Sequence, residues 1–352
     1  MKISAAMKTV KDPTLRTIYN CLHFDGDVVN TPWRGAESKN SLSFEFANRA
    51  SSASDVARGL KTLFGVDDSF CKKAEQAGSG SATEWRRLST LHSSALCALL
   101  HFWKIDEDHQ VTLCLDGSNF TFSNVFFEIK NKVYEAPSSL DVVLTGCKDD
   151  ETPVVLYLES KFSEHIRGAV TRMSQKRKEG IISGQYFDPV ETNKFKVNVD
   201  RVLQRLGLEK LEANDHNYFF VRKEGNTEPK WLYAEGIKQI IAHYLGICKE
   251  IECHFDKRPA VLSDLKDIEL KANTEYYLGT ILFDFQDADN SFAEKQRCYS
   301  SLYHKLAVSL NESWDLQPKL RVMENALTYQ EIQSNLHLAK QVEQFYYGPK
   351  HE

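Results

Sequence analysis

No run of 18 apolar residues occurs anywhere in the 352-residue sequence, so no transmembrane helix is expected. The opening Met1-Lys2-Ile3-Ser4 leads into polar and charged residues with no apolar segment behind it, which argues against a secretory signal. Cysteine is sparse and scattered: eight residues, at 21, 71, 97, 114, 147, 248, 253 and 298, with no C-x-x-C pair. That pattern does not suit a disulfide-stapled chain and points to free thiols in a reducing cytoplasm. Cys248, Cys253 and His254 stand close together, but their spacing fits no common zinc pattern. A large excess of one charge is also missing, since 44 Lys and Arg stand against 49 Asp and Glu. Glycine-rich phosphate loops, H-E-x-x-H and G-x-S-x-G are absent, which removes the commonest nucleotide-binding, zinc-protease and serine-hydrolase signatures.

What is present is an ordinary globular composition, 42% hydrophobic and 11% aromatic, ample for a buried core. Ser54-Asp55 is expected to open a short helix with Val56, Leu60 and Leu63 on one face, ended by Gly65. Ala77-Gly78-Ser79-Gly80-Ser81 reads as a linker, so residues 1–80 are taken as an N-terminal extension. Ser81 and Glu84 have capping-box spacing, and Leu88, Leu91, Ala95, Leu96, Leu99 and Phe102 follow at helical steps, predicting a helix over 82–103. Strands are predicted at 111–115, 122–130, 140–145 and 153–160, the last two joined by the polar turn Cys147–Glu151 as a hairpin. A helix over 233–246 with Gly246 near its C-cap and a strand over 275–285 come next. The remainder is expected to be helical, with Tyr299, Leu302, Tyr303, Leu306 and Leu310 on one face. A second capping box, Thr328/Glu331, should open a helix running through Ile332, Leu336, Ala339, Val342 and Phe345.

The chemistry-bearing stretch is Asp141 on one arm of the hairpin and Glu159-Ser160-Lys161 at the end of the other. Side chains alternate along a strand, so Glu159 and Lys161 point the same way, and a turn near 147–152 sets Asp141 across from them. Two carboxylates suit a hard divalent cation, and a lysine beside them orients a water or offsets developing charge. That combination points to phosphodiester hydrolysis. A basic run follows directly: Arg167, Arg172, Lys176, Arg177 and Lys178, with no acid between them, a candidate for binding phosphates.

This chain resembles the PD-(D/E)xK nuclease superfamily, the restriction-endonuclease-like fold, over residues 82–345. The expected order of helix, three-strand meander, helix and strand carries the resemblance, with Asp141, Glu159 and Lys161 at the positions of the family's acidic residues and lysine. Asp141 follows Pro-Ser-Ser-Leu rather than proline directly, a departure from the commonest motif. Gln239, with His243 and Tyr244 after it, lies where some branches carry a glutamine followed by an aromatic residue. Ser93-Ser94 before an apolar helix, Phe127-Glu128 on the first strand and Thr328-Tyr329-Gln330 are shared with bacterial branches. The resemblance implies an α/β (α+β) fold with a central mixed sheet flanked by helices. It places a nuclease core over 81–290, with an insertion at 162–232, and C-terminal helices over 291–352 packed on that core. It implies a Mg²⁺-dependent deoxyribonuclease (Mn²⁺ as substitute) of restriction, defence or repair type in a bacterial cytoplasm, with DNA as partner. By analogy with double-strand cutters of this fold, it suggests a homodimer. Metal would sit on Asp141, Glu159 and the Ser160 carbonyl. Lys161 would assist the attacking water, and Glu128 and Gln239 would complete the site. The alternative is a non-catalytic DNA-binding or interaction protein that keeps the fold.

Overall fold

A computed structural model describes residues 1–33, 41–79, 84–132, 137–167, 182–184, 202, 204–211, 218–222, 238–255, 273–285, 292–312 and 320–349. Twelve strands appear among them: β1 (Val28–Asn30), β2 (Leu42–Phe44), β3 (Val111–Leu115), β4 (Ser118–Lys132), β5 (Pro137–Lys148), β6 (Pro153–Lys161), β7 (Ile182–Gly184), β8 (Leu208–Leu211), β9 (Tyr218–Arg222), β10 (Glu275–Leu282), β11 (Leu320–Val322) and β12 (Leu327–Thr328). The helices of eight or more residues are α1 (Pro13–Asn20), α2 (Ala53–Phe64), α3 (Ser69–Ala77), α4 (Ser94–Phe102), α5 (Lys238–Phe255), α6 (Ala293–Asn311) and α7 (Lys340–Tyr347).

The molecule is mixed α/β around a seven-stranded central sheet in the order β11-β10-β6-β5-β4-β3, with β12 also pairing β10. β3, β4, β5 and β6 form an antiparallel meander, whereas β10 lies parallel to β6 and β11 and β12 lie parallel to β10. The apolar run of β6 is buried on both faces, as its near-continuous hydrophobicity predicts. Leu156 and Leu158 pack toward α1, α2, α3, α4 and α7, and Val155 and Tyr157 pack toward α5 and α6. Each such fully buried side chain contributes about 1.5–3 kcal/mol of transfer free energy.

Residues 1–79 share one apolar cluster with the sheet: Leu15, Leu60, Phe64 and Phe70 join Phe127, Leu144 and Leu158. Lys73 Nζ of α3 donates to the Val125 carbonyl of β4 at 2.5 Å. Between β4 and β5 the register shifts at Phe122/Asn124, and there the backbones approach so closely that a Cβ on Gly146 would meet the Thr121 carbonyl oxygen at 1.9 Å. In the inserted region β7, β9 and β8 form a small antiparallel sheet, and Leu206 and Leu208 pack into the α5-side cluster.

Several boundaries differ from the sequence expectations. α2 is capped by Ser52, not Ser54, in a box closed by Asp55, and Gly65 ends it in the left-handed conformation. A single helix over 82–103 does not form. Glu84–Ser89 is a 3₁₀ helix, and α4 starts only at Ser94, where the Ser93 hydroxyl accepts from the Leu96 N–H. Ser81 lies outside the described residues. The helix expected at 233–246 begins among the described residues at Lys238 and runs to Phe255, so Gly246 sits inside it rather than at its cap. Thr328 and Glu331 do form their capping box, but the helix they open spans only Tyr329–Ile332, and α7 is separate. β11 and β12, in the part expected to be helical, extend the sheet instead.

Candidate functional site

The β5–β6 ladder ends at Val142 opposite Leu158. Beyond it the Ser160 N–H donates to Asp141 Oδ2 at 2.7 Å, so a side-chain carboxylate takes the bond that a strand carbonyl would have taken. Distortion of the neighbouring strand accompanies this. Glu128 has φ +52°, inside β4, and the alternation of side chains breaks around it. Phe126 and Ile129, three apart, both pack toward the α5 side, as do Val143 and Leu140 on β5. A left-handed carboxylate residue in mid-strand is uncommon and marks strain, of order 1–3 kcal/mol.

Asp141, Glu159 and Lys161 converge as the alternation argument predicts. Lys161 Nζ donates to Glu159 Oε1 at 2.6 Å and to Gln239 Oε1, from the first turn of α5, at 2.6 Å. Glu159 Oε2 accepts from His243 Nε2 at 2.9 Å, and His243 Nδ1 lies 2.5 Å from Ser138 Oγ. Glu159 and Lys161 are each 3% exposed, whereas Asp141 and Gln239 are half-buried and form the open side of the cluster. Ser160 points to the opposite face, where its hydroxyl meets Tyr329 Oη at 2.8 Å and donates to the Ser94 carbonyl at 3.2 Å. The turn after β6 is tied by Glu164, which accepts from the Phe162 and Ser163 N–H groups.

The charges are strongly coupled. Burial alone would raise the Glu159 carboxyl, but the Lys161 ammonium, then His243, outweigh it and hold the carboxyl at about 2. Burial likewise works against the charged Lys161, and Glu159 more than reverses this, leaving the ammonium more firmly protonated than usual. Asp141 is pushed well above the carboxylate range by burial, then by the charges of Glu159 and Glu128. Glu128, 7% exposed, rises to about 8 through burial and then Glu84, which itself pairs with Arg87 at 2.6 Å. His165, fully buried beside Lys161, is held at about 3, by burial and then by the Lys161 charge, and is neutral at pH 7.

Among the described residues no group of three or more His, Cys, Asp and Glu is spaced to hold a metal ion. The acidic groups that meet in the cluster are nonetheless oxygen donors: the half-buried Asp141 carboxyl, which accepts from the Ser160 N–H, and the Glu159 carboxylate behind it. That set fits Mg²⁺, which takes one or two carboxylates and keeps its waters. Glu159 is not saturated by Lys161 and His243, because each carboxylate oxygen carries two lone pairs. Burial raises the Asp141 carboxyl most, and the Glu159 and Glu128 charges add to the rise, a smaller part that a cation would offset.

The basic run fares differently. Arg172, Lys176, Arg177 and Lys178 lie outside the described residues, and Arg167 is described only as backbone in the short helix Glu164–Arg167. The sequence did not point to Ser138, whose partner His243 is 105 residues away. No helix among the described residues is long and apolar enough to cross a membrane. No family model, no curated protein and no solved structure matches this chain.

Proposed function

We propose that the chain is a metal-dependent deoxyribonuclease of the PD-(D/E)xK type, with a restriction-endonuclease-like core formed by α4, β4–β6, α5 and β10. The observation that carries this reading is the meeting of Asp141, Glu159, Lys161 and Gln239 where β5 and β6 part. On this reading Asp141, Glu159 and the Ser160 carbonyl hold Mg²⁺ or Mn²⁺, with Glu128 as an adjoining carboxylate. The bound ion would supply Lewis acidity toward a phosphoryl oxygen and a more acidic water. An ammonium has three donors, and Lys161 uses two of them among the described residues, on Glu159 and Gln239. The third serves the attacking water or a non-bridging phosphate oxygen. Gln239 fixes the direction of that donor. DNA is the partner, met by the run Arg167–Lys178, and a homodimer would give each strand its own site. Restriction, defence or repair in a bacterial cytoplasm is the matching setting.

Incubation with plasmid and linear DNA, with and without Mg²⁺ or Mn²⁺, tests this. Metal-dependent cleavage lost in Asp141→Asn is the expected result. DNA binding with no cleavage under either metal would favour the non-catalytic alternative.

A further inference from the structure

Helix α5 grips both members of the buried ion pair. Gln239 reaches Lys161, and His243, one turn later on the same face, reaches Glu159. His243 is 2% exposed and Ser138 is 7% exposed, so neither meets solvent or substrate directly. A carboxylate paired with an ammonium, as Glu159 is with Lys161 at 2.6 Å, only accepts, so the hydrogen in the His243–Glu159 bond belongs to Nε2. In a neutral imidazole that leaves Nδ1 as an acceptor, and the Ser138 hydroxyl must then donate to it.

From this geometry we infer that His243 is a positioning residue for the proposed nuclease site, with Ser138 fixing its tautomer, so that Ser138, His243 and Glu159 form a one-way chain of donors ending on the catalytic carboxylate. The inference rests on the nuclease reading. Its physical content is that a carboxylate bonded through both oxygens, to Lys161 and to His243, cannot turn without breaking a bond. The lone pairs it has left therefore keep one direction. A partner that orients a ligating side chain typically matters 10–100-fold in metal affinity or activity. Gln239 restrains the lysine in the same way from the preceding turn, so one helix face sets both groups.

The test uses the full chain with Mn²⁺ and Mg²⁺ as probes and three variants checked for folding by circular dichroism. Mn²⁺ affinity is read by calorimetry and cleavage of plasmid DNA as kcat and KM. His243→Ala is expected to weaken Mn²⁺ binding and lower kcat about 10–100-fold, with KM for DNA unchanged. His243→Gln, which returns an N–H donor near the Nε2 position, should recover most of the loss. Ser138→Ala should fall between the two. Imidazole ¹⁵N spectra of the metal-free wild type should show His243 with its hydrogen on Nε2. An active wild type whose folded His243→Ala variant keeps its kcat and Mn²⁺ affinity overturns the inference alone. So does a His243→Gln variant as poor as His243→Ala, or a wild-type ring carrying its only hydrogen on Nδ1. A wild type that neither cleaves DNA nor binds Mn²⁺ overturns the nuclease reading and the inference with it. Should His243→Ala not fold, Ser138→Ala, His243→Gln and the spectra decide.

Discussion

Removing Lys161 and the charge of Glu159 together should cost far less than the sum of the two removals made singly. The pair is 3% exposed on each side and bonded at 2.6 Å. Breaking a buried pair by deleting one partner costs about 3–5 kcal/mol, because the other charge remains out of water. Lys161→Met leaves the Glu159 carboxylate with His243 as its remaining partner. Glu159→Gln leaves a buried ammonium facing two amide oxygens, those of residues 159 and 239, which accept hydrogen bonds but carry no charge. In the second variant His243 can reverse its tautomer, accepting at Nε2 from the new amide and donating from Nδ1 to Ser138, so the loss should come from the lysine charge rather than from a broken chain. The double variant Glu159→Gln/Lys161→Met removes both charges and keeps the volume. Its loss should be smaller than the sum of the two single losses by about 3 kcal/mol or more. Urea unfolding followed by circular dichroism, at constant pH near 7, gives the three values. Single losses that simply add in the double variant would show that the two charges do not stabilise one another, and would refute the account of the site as a mutually dependent pair.

Three further outcomes are expected. The Glu128 carboxyl is raised to about 8 from its ordinary value of 4.5, so between those pH values the folded chain holds a proton that the unfolded chain has lost. Stability should therefore fall as pH rises through that window, by at most about 5 kcal/mol. Glu128→Gln should flatten the fall in thermal scans at pH 5 to 8, and an unchanged slope would return Glu128 to an ordinary surface-like carboxyl. Gln239→Ala removes a 2.6 Å acceptor from a buried ammonium and should cost about 1.5–3 kcal/mol in urea unfolding and lower kcat; a silent substitution would leave Gln239 no role. Neutralising Arg172, Lys176, Arg177 and Lys178 together should weaken binding to all DNA sequences alike and flatten its salt dependence, by about 0.9 for each duplex phosphate that no longer meets a positive charge. An equal salt slope would remove these residues from the interface.

The sequence was most legible where local pattern and tertiary demand agree. The run Pro153–Leu158 is apolar throughout because β6 is covered on both faces, and the two charges after it, Glu159 and Lys161, are buried there as partners of one another. The alternation of Glu159 and Lys161 was enough to place them together. Thr328/Glu331 closes its box because the bonds span three residues of chain. Legibility ended where the deciding partner is distant. Ser81-Glu84 has the spacing of a cap, yet Ser93 caps α4. Leu88 and Leu91 are buried without belonging to that helix, so their helical spacing misled. β11 and β12 are three and two residues long and exist through pairing with β10, which no local propensity announces. The left-handed Glu128 carries no glycine or asparagine to signal it. Gln239 could be proposed from its place on a helix, but Ser138 looked like any serine ahead of a strand.

The central sheet is laid down in the order in which the chain is made. β3, β4, β5 and β6 lie side by side in sequence order, then β10 joins the free edge of β6 and β11 joins β10. At ribosomal rates of roughly 5–20 residues per second, on the order of ten seconds separate the emergence of Lys161 from that of Glu275. For that interval β6 is an edge strand, with unpaired backbone groups and an apolar run exposed to other chains. Neither Gln239 nor His243 has yet arrived at its start, and Tyr329, which bonds Ser160 from behind, comes later still. A nascent chain at this stage therefore holds Asp141, Glu159 and Lys161 without the helix that sets them. The window of greatest aggregation risk coincides with an unfinished cluster, so a chain stalled there would be sticky before α5 held Glu159 and Lys161 in place.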